Sequence, residues 1–239
     1  MSKEEFEKIL IELANSIDVK INKETIYMFY QYMKEIIEWN DKVNLTAITD
    51  EKMFIVKHFI DSLTVSKEIE DKNTIIDIGT GAGFPGIPLK INFPEKKITL
   101  IDAVNKKLNV IRDITSKFNM DKLEIIHTRA EDLANNDKYR EKYDVAITRA
   151  VSNLSTIVEY MLPFVKKDGI AICMKGPSFK EELEESKKAI EVLGGKVENI
   201  KTIFIENEIE RNIIVIKKIK ATPKQFPRGK GKPQKEPIK

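Results

Sequence analysis

The chain has 239 residues, 41% apolar and 33% charged, enough for one core-forming domain with an extension. No run of about eighteen apolar residues occurs, which excludes a membrane-spanning helix. The opening Met1-Ser-Lys-Glu-Glu lacks the apolar centre of a secretory leader, so none is expected. The net charge is +3 and unevenly placed: residues 217–239 hold nine Lys or Arg and one acid, Glu236, while the remainder is acidic by five. One cysteine, Cys173, allows no internal disulfide and suits a reducing, cytoplasmic setting. With only His58 and His127 as histidines, and no zinc-ligand cluster, no metal site is expected.

The first seventy residues read as helices. In 23–40, Ile26, Phe29, Tyr30, Met33, Ile36 and Ile37 draw one apolar stripe at three- and four-residue spacing. Residues 3–14 repeat this more weakly. A third helix is predicted over 51–67, with Thr49 or Asp50 as cap. Together 1–70 are read as a helical cap docked on the sheet, since no Gly- or Pro-rich linker separates the two. On the third helix, His58-Phe-Ile-Asp61-Ser62 is either a functional cluster or a histidine beside a carboxylate on one helix face.

From Thr74, strands alternate with helices: strands at 74–78, 97–101, 123–127, 143–148 and 169–174, helices at 106–118, 130–142 and 154–165. This alternation implies right-handed crossovers and a parallel sheet, an α/β methyltransferase-like or dinucleotide-binding plan over 71–220. A last helix, 180–193, is stopped by Gly194-Gly195. Strands 196–204 and 211–217 are joined too tightly for a crossover and must be antiparallel.

The loop after the first strand carries the chemistry. Gly79, Gly81 and Gly83 let backbone approach a ligand that a side chain would repel, and Gly86 opens a helix. Gly81-Ala-Gly83-Phe-Pro-Gly86 satisfies the dinucleotide fingerprint, with Asp102 about twenty residues on. Asp77, two residues before Gly79, makes the wider pattern D-x-G-x-G-x-G, which resembles motif I of the class I S-adenosylmethionine-dependent methyltransferases. In that class the acid helps hold the glycine loop and the methionine end of the cofactor. The antiparallel ending favours the methyl donor over a dinucleotide. Ligands in such sheets sit beyond the carboxyl ends of the strands, which nominates Asp102 for ribose hydroxyls, and Ala130 and Glu131 for adenine. Arg149 and Lys175, after the fourth and fifth strands, are candidates for RNA phosphate or the target base. Cys173, inside a strand, reads as core.

Asp77 to Leu89, His58 to Ser62, Thr128-Arg-Ala-Glu131, Thr148-Arg-Ala150 and the ending from Phe226 to Ile238 together resemble one bacterial family. It is the glucose-inhibited division protein B family, methyltransferases that modify N7 of a guanine in small-subunit ribosomal RNA. The family's tail reads Tyr-Pro-Arg and then Gly-Thr-Pro; Phe226 and Lys232 depart from it conservatively. The resemblance implies donor contact at Gly79, Phe84, Ala130, Glu131 and Arg149, and a target in the 530 loop, on free RNA or an assembling small subunit. Guanine N7 loses no proton on methylation, so no catalytic base is expected. The tail, 221–239, reads as a mobile RNA hand in which Phe226 and Arg228 stack on a base and Lys230 and Lys232 meet phosphates. Its removal is expected to spare donor binding.

Overall fold

The computed structural model describes residues 1–149, 152–206 and 209–238, and in it the isoleucine-rich runs form one seven-stranded sheet of order β3-β2-β1-β4-β5-β7-β6. The strands are β1 (Thr74–Ile78), β2 (Lys97–Asp102), β3 (Leu123–His127), β4 (Tyr143–Arg149), β5 (Val165–Lys175), β6 (Gly195–Ile205) and β7 (Ile209–Lys218). β1 to β5 are mutually parallel; β7 inserts between β5 and β6 and runs antiparallel to both. A dinucleotide-binding sheet would continue with a sixth parallel strand. The hairpin therefore sets that alternative aside.

Successive strand residues point to opposite faces, and two cores result. Ile75, Val145, Ile147, Ile172 and Val215 face one, with Phe6, Phe29 and Phe59 of the amino-terminal helices. Ile76, Ala146, Ala171, Cys173, Ile214 and Ile216 face the other. Burial on both faces is why these strands read as continuous apolar runs. It also pushes the Cys173 thiol up to about 12, which suits a core residue.

The cap comprises α1 (Lys3–Ser16), α2 (Lys23–Asn40), α3 (Glu51–Phe54), a π-helical turn (Ile55–Ile60) and α4 (Asp61–Leu63), the last three continuous. Ser2, Asn22 and Asp50 accept backbone N–H bonds at the three starts, so Asp50 rather than Thr49 is the cap. The third helix stops short of residue 67, and a 3₁₀ turn occupies Ser66–Ile69.

Along the sheet lie α5 (Gly86–Asn92), α6 (Asn105–Ser116), α7 (Ala130–Leu133), α8 (Leu154–Met161) and α9 (Phe179–Val192), with α10 (Lys232–Lys235) in the tail. The helix expected over 130–142 is only four residues long. Asn135 and Asn136 spend their side chains on neighbouring backbone groups, which competes with helix continuation.

The tail differs most from expectation. Phe226 is 7% exposed and joins the second core, Pro233 is buried, and Arg228 pairs with buried Glu159. Arg140 donates to the carbonyls of Thr222, Pro223 and Phe226. A Pro-, Gly- and Lys-rich segment builds no core of its own; this one borrows partners from α8 and from Arg140. Phe226 and Arg228 are thus not a free stacking pair, whereas Lys230 and Lys232 are exposed.

Candidate active site

A cleft of about 410 Å³ lies beyond the carboxyl ends of β1 to β4, where the strand order reverses. Gly79, Gly81, Asp102, Ala130, Glu131 and Arg149 line it, with Val104, Lys107, Tyr160 and Gln234. The glycine loop is held open from behind. The buried Asp77 carboxylate accepts the Thr80 hydroxyl at 2.6 Å and the Gly86 N–H at 2.9 Å. Burial raises its pKa to about 6. From the front, Asp102 accepts the Gly81 N–H at 2.9 Å and the Val104 N–H at 2.8 Å.

Three residues expected to touch the donor sit behind the cleft instead. Asp77 braces the loop. Gly83, at φ +85°, lies against Tyr32: a Cβ there would fall 2.5 Å from the tyrosine oxygen and 2.7 Å from Ile87 Cγ1. The Phe84 ring stacks on His58, with centroids 4.3 Å apart and an interplanar angle of 4°. Sequence reasoning misses Tyr160 and Gln234: each lies in a segment whose local pattern says only helix or tail, and long-range packing brings them to the cleft.

Arg149 ties the cap to the sheet. Its Nη1 donates to the Lys57 carbonyl at 2.7 Å and to Asp61 Oδ2 at 2.9 Å; its Nη2 donates to His58 Nδ1 at 3.0 Å. The guanidinium also lies 5.2 Å from the Phe84 ring centroid. A guanidinium only donates, so His58 Nδ1 must accept and its Nε2–H points to Thr46 Oγ1, 2.8 Å away. Burial, and secondarily the Arg149 charge, depress His58 to about 3, leaving it neutral. Asp61 also takes Arg211 on both oxygens, at 2.5 and 3.1 Å. The unassigned His58–Asp61 cluster is therefore the mount for Arg149 and Arg211. His58 stands in a π-helical turn, whose shifted bonding often marks functional positions, and Asp61 follows directly as the first residue of α4.

Beyond Arg149 opens a second cleft of about 530 Å³, lined by Ile48, Lys57, His58, Asp61, Glu210 and Arg211 among others. Lys175 does not reach it freely: its Nζ donates to the Ser152 carbonyl at 2.6 Å and Glu182 at 2.8 Å. Among the described residues no cluster of potential metal ligands occurs, and no helix is long and apolar enough to cross a membrane.

The family model described as GidB, rRNA small subunit methyltransferase G, matches residues 25–214. The chain belongs to this family. A ribosomal RNA small subunit methyltransferase G of Acetivibrio thermocellus is 47% identical over 97% of this chain and 96% of its own. A protein of that name from Clostridium novyi is 46% identical over 98% and 97%. Among solved structures, M. jannaschii TYW2 in complex with AdoMet superposes with TM-score 0.53 at 14% identity, covering 66% of this chain and 77% of that one. A ribosomal protein L11 methylase from Lactobacillus delbrueckii subsp. bulgaricus gives 0.52 at 14% identity, over 69% and 79%. These two likenesses speak for the fold, the class I methyltransferase sheet.

The M. jannaschii TYW2 structure holds AdoMet, and the cleft of this chain fits a ligand of that kind chemically. Glu131, 3% exposed, has a carboxylate oxygen with no hydrogen-bond partner, and so does Asp77. Arg129 Nη1 stands 3.7 Å from that Glu131 oxygen, an ion pair without a hydrogen bond, and a nucleoside bearing an amine and hydroxyls brings the hydrogen-bond donors that Glu131 lacks.

Proposed function

We propose that the chain transfers a methyl group from S-adenosylmethionine to N7 of a guanine in small-subunit ribosomal RNA, in the 530 loop, and does so in the cytoplasm. The observation that carries this reading is that Arg149 lines both clefts. One cleft suits the donor; the other, lined by Lys57 and Arg211, suits a nucleotide with its phosphates, so the two reactants meet across one side chain.

S-adenosylmethionine supplies an electrophilic methyl on sulfur. Gly79, Gly81 and Asp102 hold the donor's polar groups, and Glu131 accepts from its base. Arg149, fixed by Lys57, His58 and Asp61, keeps the two partners in register, and such positioning supplies several kcal/mol of a barrier, roughly 7–11 in the best cases. N7 would attack with its own lone pair as the methyl–sulfur bond breaks and the donor leaves as its thioether, so no residue has to take a proton. The purine becomes positive; Asp61 is committed to Arg149 and Arg211, so Glu210 is the carboxylate of the acceptor wall that offsets that charge. Neutral His58 adds no opposing charge. The exposed Lys230 and Lys232, with Arg129 at 64% side-chain exposure, would screen RNA phosphates.

The test is radiolabelled methyl transfer to small-subunit ribosomal RNA from cells lacking this protein, offered free and as particles. Label recovered as 7-methylguanosine is expected. Donor binding without label on either substrate would overturn the RNA assignment.

A further inference from the structure

The tail closes one side of the donor cleft. From Arg228 to Glu236 it forms a strap fastened at several points. The Arg228 backbone N–H donates to Glu159 Oε1 at 2.8 Å, its Nε to the same oxygen at 3.0 Å, and its Nη2 to Oε2 at 2.7 Å. The same Nη2 donates to the Glu236 carbonyl at 2.8 Å, tying the two ends of the strap together. Between them α10 rests on α8, with Pro233 buried and its carbonyl accepting the Thr156 hydroxyl at 3.0 Å.

Glu159 is fully buried. Apolar residues of similar size would usually be as stable as a buried ion pair, so such a pair is weak evidence for a purely stabilising role. What it provides here is a fixed path for a segment with little core of its own. That path leads to the donor. Glu159 adjoins Tyr160, which lines the donor cleft, and Gln234 of α10 lines it too. Gln234 and Ser152 also line a larger cleft of about 880 Å³ between α8, α9 and the strap. Gln234, shared by both clefts, marks α10 as part of the partition between them.

We infer that the strap is a wall of the donor site: Gln234 contacts the donor with an amide that both donates and accepts, and the Glu159–Arg228 pair is the positioning device that holds it there. This rests on the methyltransferase reading for the identity of the donor and on nothing about the RNA. It reverses the expectation that losing the tail spares donor binding.

Calorimetric titration of the full chain with S-adenosylmethionine tests it. Gln234 is exposed, so Gln234→Ala should keep the wild-type melting temperature while weakening donor affinity roughly three- to tenfold, the scale of one or two lost hydrogen bonds. The double variant Glu159→Gln with Arg228→Ala frees the strap without leaving a buried charge, and should weaken affinity about tenfold or more. In turnover both should raise KM for the donor and leave kcat near wild type at saturating donor. Wild-type affinity in both variants, or a lowered melting temperature with affinity unchanged, overturns the strap while the donor assignment stands. A wild-type chain that binds no S-adenosylmethionine overturns both.

Discussion

The glycine loop and the Arg149 junction border the same cleft and are built by opposite means. The loop is one contiguous stretch: Asp77 grips Thr80 and Gly86, three and nine residues on. The junction gathers Lys57, His58, Asp61, Arg149 and Arg211, and its longest link, Asp61 to Arg211, spans 150 residues. A contiguous site depends on backbone conformations that only certain residues allow, so it leaves a spacing in the chain. A dispersed site depends on charges that are ordinary one by one and acquire a role only when the sheet assembles.

The junction should therefore break hardest at its centre. Asp61 is 1% exposed and neutralises two arginines that are themselves 12% and 18% exposed. Asp61→Ala leaves both without their carboxylate, and removing one partner of a buried pair costs about 3–5 kcal/mol. Urea unfolding measures this directly. A loss under about 1 kcal/mol would mean that the cluster is solvated and holds nothing in place.

The loop should break by shape instead of charge, and unevenly. Gly83→Ala meets Tyr32 and Ile87 at sub-van der Waals distance in a left-handed backbone conformation. Overpacking of about 1–3 kcal/mol adds to about 1–2 kcal/mol for the backbone. Gly81→Ala, at φ +58°, has nothing within 4 Å of the added methyl. It should cost only the backbone term, about 1–2 kcal/mol, but place the methyl in donor space and weaken donor binding. Equal stability losses in the two variants would show that the loop relaxes as a unit and that Tyr32 does not restrain Gly83.

This division also explains which parts of the molecule are legible in its sequence. The strands, the antiparallel hairpin and the loop with Asp77 and Asp102 are legible because each comes from a local period or spacing. The position beyond the third strand nominates Ala130 and Glu131, and the resemblance to family motifs adds Arg149 as a donor contact; the structure places all three at the cleft. The same resemblance puts Phe84 at the donor, yet its ring is turned into the cap against His58, a contact no spacing encodes. Phe226 and Arg228 read as exposed because their neighbours are Pro, Gly and Lys. Their partners are the second core and Glu159, which lies about seventy residues upstream of Arg228. Composition describes what a segment can bury by itself, and is silent on what the rest of the chain offers it.

The subtlest difference between the two regions is in how acid acts on them. Asp77, raised from 3.8 to about 6 by burial, takes up a proton in the native state before it does so unfolded. Its contribution to stability is therefore fully present below about pH 4 and is lost as pH rises through 6. His58, lowered from 6.5 to about 3, behaves oppositely: its contribution is present above pH 6.5 and is lost as pH falls, because the unfolded imidazole is protonated first. At about 1.4 kcal/mol per unit of pKa difference, acidification from pH 7.5 to 5 should strengthen the loop side and weaken the junction side by about 1–2 kcal/mol each. The wild-type chain should show little net change from this pair. Asp77→Asn removes the gain, so that variant should lose stability on acidification relative to wild type, and His58→Gln removes the loss, so it should gain. Urea titrations at the two pH values read both slopes. Parallel profiles would mean that Asp77 and His58 are solvated alike, and that the loop and the junction do not differ electrostatically in the way their burial implies.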